Sequence, residues 1–193
     1  MPEVVLSSPL AGVLVQGARV LHVDGRECTL AEIPFLDMLN LRGNAADARF
    51  VAAVLECTAM HLPLRANTGS IDPQRQLLWL GPDEWLLKLP PGQGEVVAAA
   101  LHTALQGQHS AVVDVGHGNT TVSVKGAGAA ELLARGCPLD LHVRVFPAGA
   151  LAQTHVAKAA ATLLCLQAGT HYELTVRRSF ADYLFRWLCE AGG

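Results

Sequence analysis

Charge, aromatic rings and clustered cysteines are all scarce in this sequence, and each scarcity removes a class of function. Only 16% of the 193 residues are Asp, Glu, Lys or Arg and 5% are aromatic, while 51% are apolar. That is ample material for a packed core and too apolar for a disordered chain. The low charge leaves two readings of the surface, an Ala-rich core or a face covered by another subunit. Net charge is −3, and Arg177-Arg178 is the one adjacent basic pair. Nucleic acid, which needs a basic stripe to neutralise its phosphates, is therefore not an expected partner. A membrane is not expected either. Crossing a bilayer takes roughly 20 apolar residues, and the most apolar late segment, Val156 to Leu166, is interrupted by Lys158. The start, Met-Pro-Glu, lacks the basic stretch of a secretory signal. The five cysteines (Cys28, Cys57, Cys137, Cys165, Cys189) form no Cys-x-x-Cys pair, and an odd number does not build a disulfide framework. Reduced structural thiols in the cytoplasm are the expectation. The eight histidines are equally dispersed, with no His-x-His or His-Glu-x-x-His, so this chain is expected to bind no metal.

What is present is periodicity. A length of 193 residues fits one large domain or two small ones. Residues 1–32, with Ser7-Ser8-Pro9-Leu10-Ala11-Gly12 and a turn at Asp24-Gly25, read as an extended N-terminal arm. Residues 33–193 read as a single α+β domain of two pseudo-repeats, about 35–108 and 109–193. In the first, Met38, Leu39 and Leu41 lead to Arg42-Gly43, and Asn44 caps a helix over 45–59 carrying Phe50, Val51, Val54 and Leu55 on one face. Gln76 to Leu80 and Glu84 to Leu89 form a hairpin around Gly81-Pro82-Asp83, and a helix starts near Glu95. In the second, Ala111 to Val115 and Thr121 to Val124 are strands, a helix spans about 127–135, and Leu151 to Leu166 and Tyr172 to Val176 are further strands. Ser179 then caps a last helix that buries Tyr183, Leu184, Trp187 and Leu188. Leu41-Arg42-Gly43 matches Val124-Lys125-Gly126. Each half runs strand, helix, hairpin, helix. Such units make a ferredoxin-like, antiparallel-rich sheet with helices on one face.

No catalytic constellation stands out. Gly126-Ala127-Gly128 opens a helix, where an anion can bind, but it lacks both the Gly-x-Gly-x-x-Gly and the Gly-Lys-Ser/Thr patterns. A structural turn is the reading. Asp114, His117 and Ser123 tempt a triad, yet Asp114 and His117 at an odd spacing point to opposite faces of a regular strand. Cys137 becomes a reactive thiol only if Arg135 lowers its pKa; a buried cysteine before Pro138 is the alternative. Trp79 and Trp85 bracket the Asp83-Glu84 turn, which fits both core packing and an interface anchor.

Taken together, several segments look familiar: Ser8-Pro9-Leu10-Ala11-Gly12, Leu39-Asn40-Leu41-Arg42-Gly43, Leu62-Pro63, Trp79-Leu80-Gly81-Pro82-Asp83-Glu84-Trp85-Leu86, Val112-Val113-Asp114-Val115, Gly136-Cys137-Pro138-Leu139-Asp140-Leu141-His142, Phe146-Pro147-Ala148-Gly149, Gln153-Thr154 and Arg178-Ser179-Phe180-Ala181-Asp182-Tyr183. In this order the chain resembles the gamma subunit family of heterotetrameric sarcosine oxidase. The resemblance implies a complex of alpha, beta, gamma and delta subunits that oxidises sarcosine to glycine and forms hydrogen peroxide. The one-carbon unit passes to tetrahydrofolate or leaves as formaldehyde. FAD, FMN and NAD are implied on alpha and beta, and zinc on delta. This chain is implied to bind no cofactor. Its implied fold is that of the folate-binding domain of the glycine-cleavage T-protein without the folate site, and its implied role is structural, with alpha as the main contact. Within the shared segments, Arg42, Trp79, Asp83, Glu84, Trp85, Asp140 and Arg178 are the candidate subunit-interface residues. One departure stands at Gly116-His117-Gly118-Asn119-Thr120, where related chains carry Ser and then Arg-Thr.

The competing readings are a stand-alone folate-binding one-carbon protein of the T-protein type, the related iron–sulfur assembly factor, and an ordinary binding domain. The assembly factor's Lys-Gly-Cys-Tyr-x-Gly-Gln signature is missing, since Lys125-Gly126 is followed by Ala127-Gly128.

Overall fold

The computed structural model describes residues 6–14 and 17–193. Its first regular element contradicts the expected arm. Ala18–Val23 (β1) and Arg26–Ile33 (β2) pair in register, with Val23 opposite Arg26. Asp24 and Gly25 both take positive φ, 49° and 77°, as a two-residue type I′ turn requires. Leu21, Val23, Cys28 and Leu30 face one way and are buried. Only residues 6–14 remain turn-like, and there Leu10 is fully buried in the core.

The duplication is visible in the connectivity. The first unit runs Asp37–Arg42 (β3), Ala48–Thr58 (α1), Gly69–Ile71 (β4), Gln76–Gly81 (β5), Glu84–Leu89 (β6) and Gly94–Ala104 (α2). After Ala111–Asp114 (β7) and one 3-10 turn at Gly116–Gly118, the second unit repeats it. Its elements are Asn119–Lys125 (β8), Ala129–Ala134 (α3), Leu151–Val156 (β9), Ala159–Gln167 (β10), His171–Arg177 (β11) and Arg178–Ala191 (α4). The strands divide between two sheets instead of sharing one. The five-stranded sheet has the order β4-β5-β6-β3-β7 and the six-stranded sheet β1-β2-β8-β11-β10-β9. Every described pairing is antiparallel. Each unit thus lays its four strands in the same spatial order and is extended from outside it, by β7 beside β3 in one sheet and by the β1–β2 hairpin beside β8 in the other.

Helices cover one face of each sheet. The side chains of α1 and α2 pack with Leu39, Leu41, Leu77, Trp85 and Leu87. Those of α3 and α4 pack with Leu30, Val122, Val124, Leu163, Tyr172 and Leu174. The opposite faces of the two sheets meet through Met38, Leu78, Leu86, Leu151 and Leu164. Between them lies a buried ion pair, Lys88 Nζ to Glu173 Oε2 at 3.1 Å, with Gln76 Nε2 donating to the same oxygen at 2.9 Å. Lys88 and Glu173 are 2% and 4% exposed. Burial pulls the Lys88 ammonium below its ordinary range, against the opposing pull of the Glu173 carboxylate. Removing either partner would strand a buried charge, so the pair ties the two units together.

Local details depart from the periodic reading in instructive ways. Asp47, not Asn44, is the N-cap of α1, accepting from Arg49 N at 2.8 Å, while Asn44 Oδ1 accepts from Ala46 N in a turn before the helix. Ser179 does not cap α4, which starts one residue earlier with no side-chain cap, and Asp182 pairs with Arg186. The buried stripe of α4 is Ala181, Leu184, Phe185 and Leu188. Tyr183 is exposed, and Trp187 is half-buried over Gly136, where an added Cβ would meet the indole at 2.3 Å.

Candidate functional site

Of the seven interface candidates, the structure gathers five on or beside the β5–β6 hairpin and separates the rest. Trp79 and Trp85 lie opposite each other in register. Opposed residues share a face, here the helix-covered one. Trp85 is 0% exposed; its ring lies 5.7 Å from Phe50 and its Nε1 donates to Pro63 O at 2.9 Å. It is therefore a core residue and has no surface to offer a partner, which corrects its place among the interface candidates. Trp79 is half-buried at the rim of the same core.

Glu84 and Arg42 lie on the other face. Arg42 Nη2 bonds Glu84 Oε2 at 2.7 Å, and Asn40 Nδ2 donates to Glu84 Oε1 at 2.7 Å. Asp83 is exposed at the turn, where its carbonyl accepts from Gly43 N at 3.1 Å. Asp140 lies elsewhere, in the loop after α3, with Oδ1 accepting from His142 N. Arg178 begins α4 and bonds His117 O and Ser7 O, both at 3.3 Å. It pins the N-terminal stretch against the 3-10 turn, the segment that departs from the family pattern.

Glu84 fronts an open cleft between the sheets, about 460 Å³ in volume, whose walls include Asn40, Leu86, Gln153, His155, Thr175 and Arg177. Both Glu84 oxygens are already engaged, by Asn40 and Arg42. A carboxylate so held is a poor proton shuttle.

The catalytic temptations dissolve. Asp114 Oδ1 accepts from Gly116 N at 2.8 Å, and Ser123 Oγ lies 3.1 Å from His171 Nε2, not from His117. Cys137 is buried, with Thr154 Oγ1 3.9 Å from its sulfur, and Arg135 turns away to Asp24 and the Ala191 carbonyl. Burial, with the Glu131 carboxylate adding to it, pushes the Cys28 thiol up to about 11, and burial does the same to Cys165. Neither is a reactive thiol. Gly126 has φ +131°, and an added Cβ would meet Glu27 O at 2.4 Å, while Gly128 N donates to that same oxygen at 3.0 Å. The glycines let β2 approach the start of α3, so backbone, not a phosphate, fills the place a nucleotide would need. Among the described residues, no group of three or more His, Cys, Asp or Glu is placed to hold a metal. No helix there is long and apolar enough to cross a membrane.

Comparison with known proteins decides among the readings. The family model for "Sarcosine oxidase, gamma subunit family" matches residues 42–193. The chain belongs to the sarcosine oxidase gamma subunit family. The gamma subunit of Corynebacterium sp. strain P-1 is 30% identical over 184 residues, 94% of this chain and 86% of that one. The gamma subunit of an Arthrobacter species is 30% identical over 185 residues, again 94% and 86%. Among solved structures, heterotetrameric sarcosine oxidase from Corynebacterium sp. U-96, in complex with pyrrole 2-carboxylate, contains a chain that superposes with a TM-score of 0.87. Identity there is 27%, over 96% of this chain and 94% of that chain. The glycine cleavage aminomethyltransferase T of Bartonella henselae shares the fold, with a TM-score of 0.67 at 16% identity over 95% of this chain and 57% of that one. The expected α+β class and kinship with the T-protein fold therefore hold for this member of the gamma family.

Proposed function

We propose that the chain serves as the gamma subunit of a heterotetrameric sarcosine oxidase, as a structural component that takes no part in the chemistry. The observation that carries this is the near end-to-end match of one compact unit to a chain of that complex. The partners are the alpha, beta and delta subunits, with alpha as the main contact. FAD, FMN and NAD belong to alpha and beta and zinc to delta, in keeping with a chain whose glycine turn is closed by backbone and whose acids and histidines are dispersed. The reaction served is oxidative demethylation of sarcosine to glycine, with one-carbon transfer to tetrahydrofolate or release of formaldehyde, and with hydrogen peroxide formation, in the cytoplasm. The test is sarcosine-dependent peroxide formation per assembled complex, with Glu84→Gln and Arg177→Gln introduced into the cleft. A structural subunit leaves turnover within about twofold of the parent, because no interaction special to the transition state is lost. A fall of orders of magnitude would contradict it.

A second reading, a folate-binding one-carbon protein acting alone, is favoured by one observation, the polar cleft between the sheets. Against it stands Glu84, the cleft's carboxylate, already bound by Asn40 and Arg42. Titration of the isolated chain with tetrahydrofolate separates the two, and micromolar or tighter binding would favour the second.

A further inference from the structure

The loops that follow α1 and α3 come from different units yet meet at one edge of the molecule. Leu151 N donates to Asn67 O at 2.9 Å, Gly69 N donates to Gly149 O at 3.2 Å, and Thr68 bridges Ala150. Both loops are held from beneath by core aromatics. Trp85 Nε1 fixes Pro63 O in the first. In the second, Phe146 is buried and stacks on Tyr172, with ring centroids 6.4 Å apart. Backbone anchored so firmly presents its outward side chains at little entropic cost to a partner.

Three of those outward side chains are aliphatic. Leu64 and Val145 are 60% exposed and Val143 48%. Single exposed aliphatics are commonplace, but here they alternate with arginines, Leu64 before Arg65 and Val143 and Val145 on either side of Arg144. The two arginines and Val145 line a groove of about 730 Å³ between the loops, and Leu64 and Val143 are their neighbours in sequence outside its lining. Both are exposed, and neither forms an ion pair among the described residues. The groove's one carboxylate, Asp140, has an oxygen committed to His142 N. The local surplus is therefore positive, against the sign of a chain with net charge −3.

We propose that this groove receives an acidic segment of a partner subunit, whose carboxylates meet Arg65 and Arg144 and whose apolar side chains cover Val145 between them. This rests on the proposed role as a gamma subunit. The complementarity is of charge with charge and aliphatic with aliphatic, which fixes register and partner choice as well as affinity.

The test uses the full chain and the purified remainder of the complex, with affinity measured at low and at physiological salt. Arg65→Glu/Arg144→Glu is expected to weaken assembly by about thirtyfold or more and to blunt its salt dependence. Arg49→Glu, an exposed arginine on α1 outside the groove, stays within about twofold. In the unmodified complex, hydrogen exchange at residues 62–69 and 139–150 slows on assembly, a readout independent of whether the double variant folds. Wild-type affinity in the double variant, or unchanged exchange at both loops in an intact complex, would overturn the groove assignment alone. A dimer of the isolated chain that the double variant abolishes would also overturn it, by making a second copy the occupant. If the wild-type chain never joins the complex, the subunit reading itself falls.

Discussion

Replacing Trp85 by alanine separates a core indole from an interface indole. The structure puts it at 0% exposure near the start of β6, against Phe50, with Nε1 donating to Pro63 O at 2.9 Å. Truncating a buried Trp removes its transfer energy and leaves a cavity, about 3–5 kcal/mol together. The abandoned Pro63 carbonyl adds about 1 kcal/mol. Chains of this size lose about 2–4 °C of Tm per kcal/mol, so a total of about 4–6 kcal/mol puts Trp85→Ala about 8–24 °C below the parent. Trp85→Phe keeps the ring contact but loses the donor and should cost about 1–2 kcal/mol, mostly for the unpaired carbonyl. The assay is calorimetric or urea unfolding of the isolated chain, with assembly into the complex measured in parallel. If Trp85→Ala melted within about 2 °C of the parent yet failed to assemble, the indole would be an interface anchor and the burial argument would be refuted.

Lys88→Met strands the Glu173 carboxylate between the sheets and should destabilise by about 3–5 kcal/mol, while Lys88→Met with Glu173→Leu recovers much of that. A double-mutant cycle by urea unfolding checks it, and simple additivity would count against the pair. His171 sits beside Ser123 with its pKa drawn below 6.5, first by burial and then by Lys125, with Glu173 opposing. The unfolded chain then takes up its proton at higher pH than the folded one. Stability is lost as pH falls from 6.5 towards the folded value. Urea midpoints between pH 7.5 and 5 should show this, and His171→Gln should flatten it; an unchanged slope in the variant would exclude His171 as the cause.

Which parts of the fold were legible follows from which forces are local. The α1 face and the β5–β6 hairpin announce themselves through spacing and turn chemistry, and the structure has them within a few residues. The β1–β2 hairpin was equally local, carried by alternating Leu21, Val23, Cys28 and Leu30 around Asp24-Gly25, but the Ser-Pro-Gly stretch before it draws the eye to an irregular arm. On α4 the aromatics Tyr183 and Trp187 outweigh small Ala181 on any hydrophobicity reading. The stripe that packs is nevertheless 181, 184, 185 and 188, the helical spacing itself.

The division into two sheets was not legible. Which neighbour a strand takes is fixed by pairings across the whole chain, such as β2 with β8, and no local pattern encodes it. The same holds for Lys88 and Glu173, which are 85 positions apart. At the candidate interface, the sequence singled out Arg42, Asp83 and Glu84, which the fold clusters. It also singled out Trp85, which belongs to the core because a period-2 strand turns alternate residues inward. Arg65 and Arg144 were missed because each is an ordinary surface arginine until the two loops meet.

The central claim is that this chain is a subunit whose chemistry belongs to its partners, and native mass spectrometry after co-expression with the alpha, beta and delta subunits tests it most directly. The account predicts one stoichiometric copy of this chain in the intact heterotetramer, and a complex that falls apart more readily without it. A well-behaved monomer that leaves the other three chains to assemble unaided would contradict it.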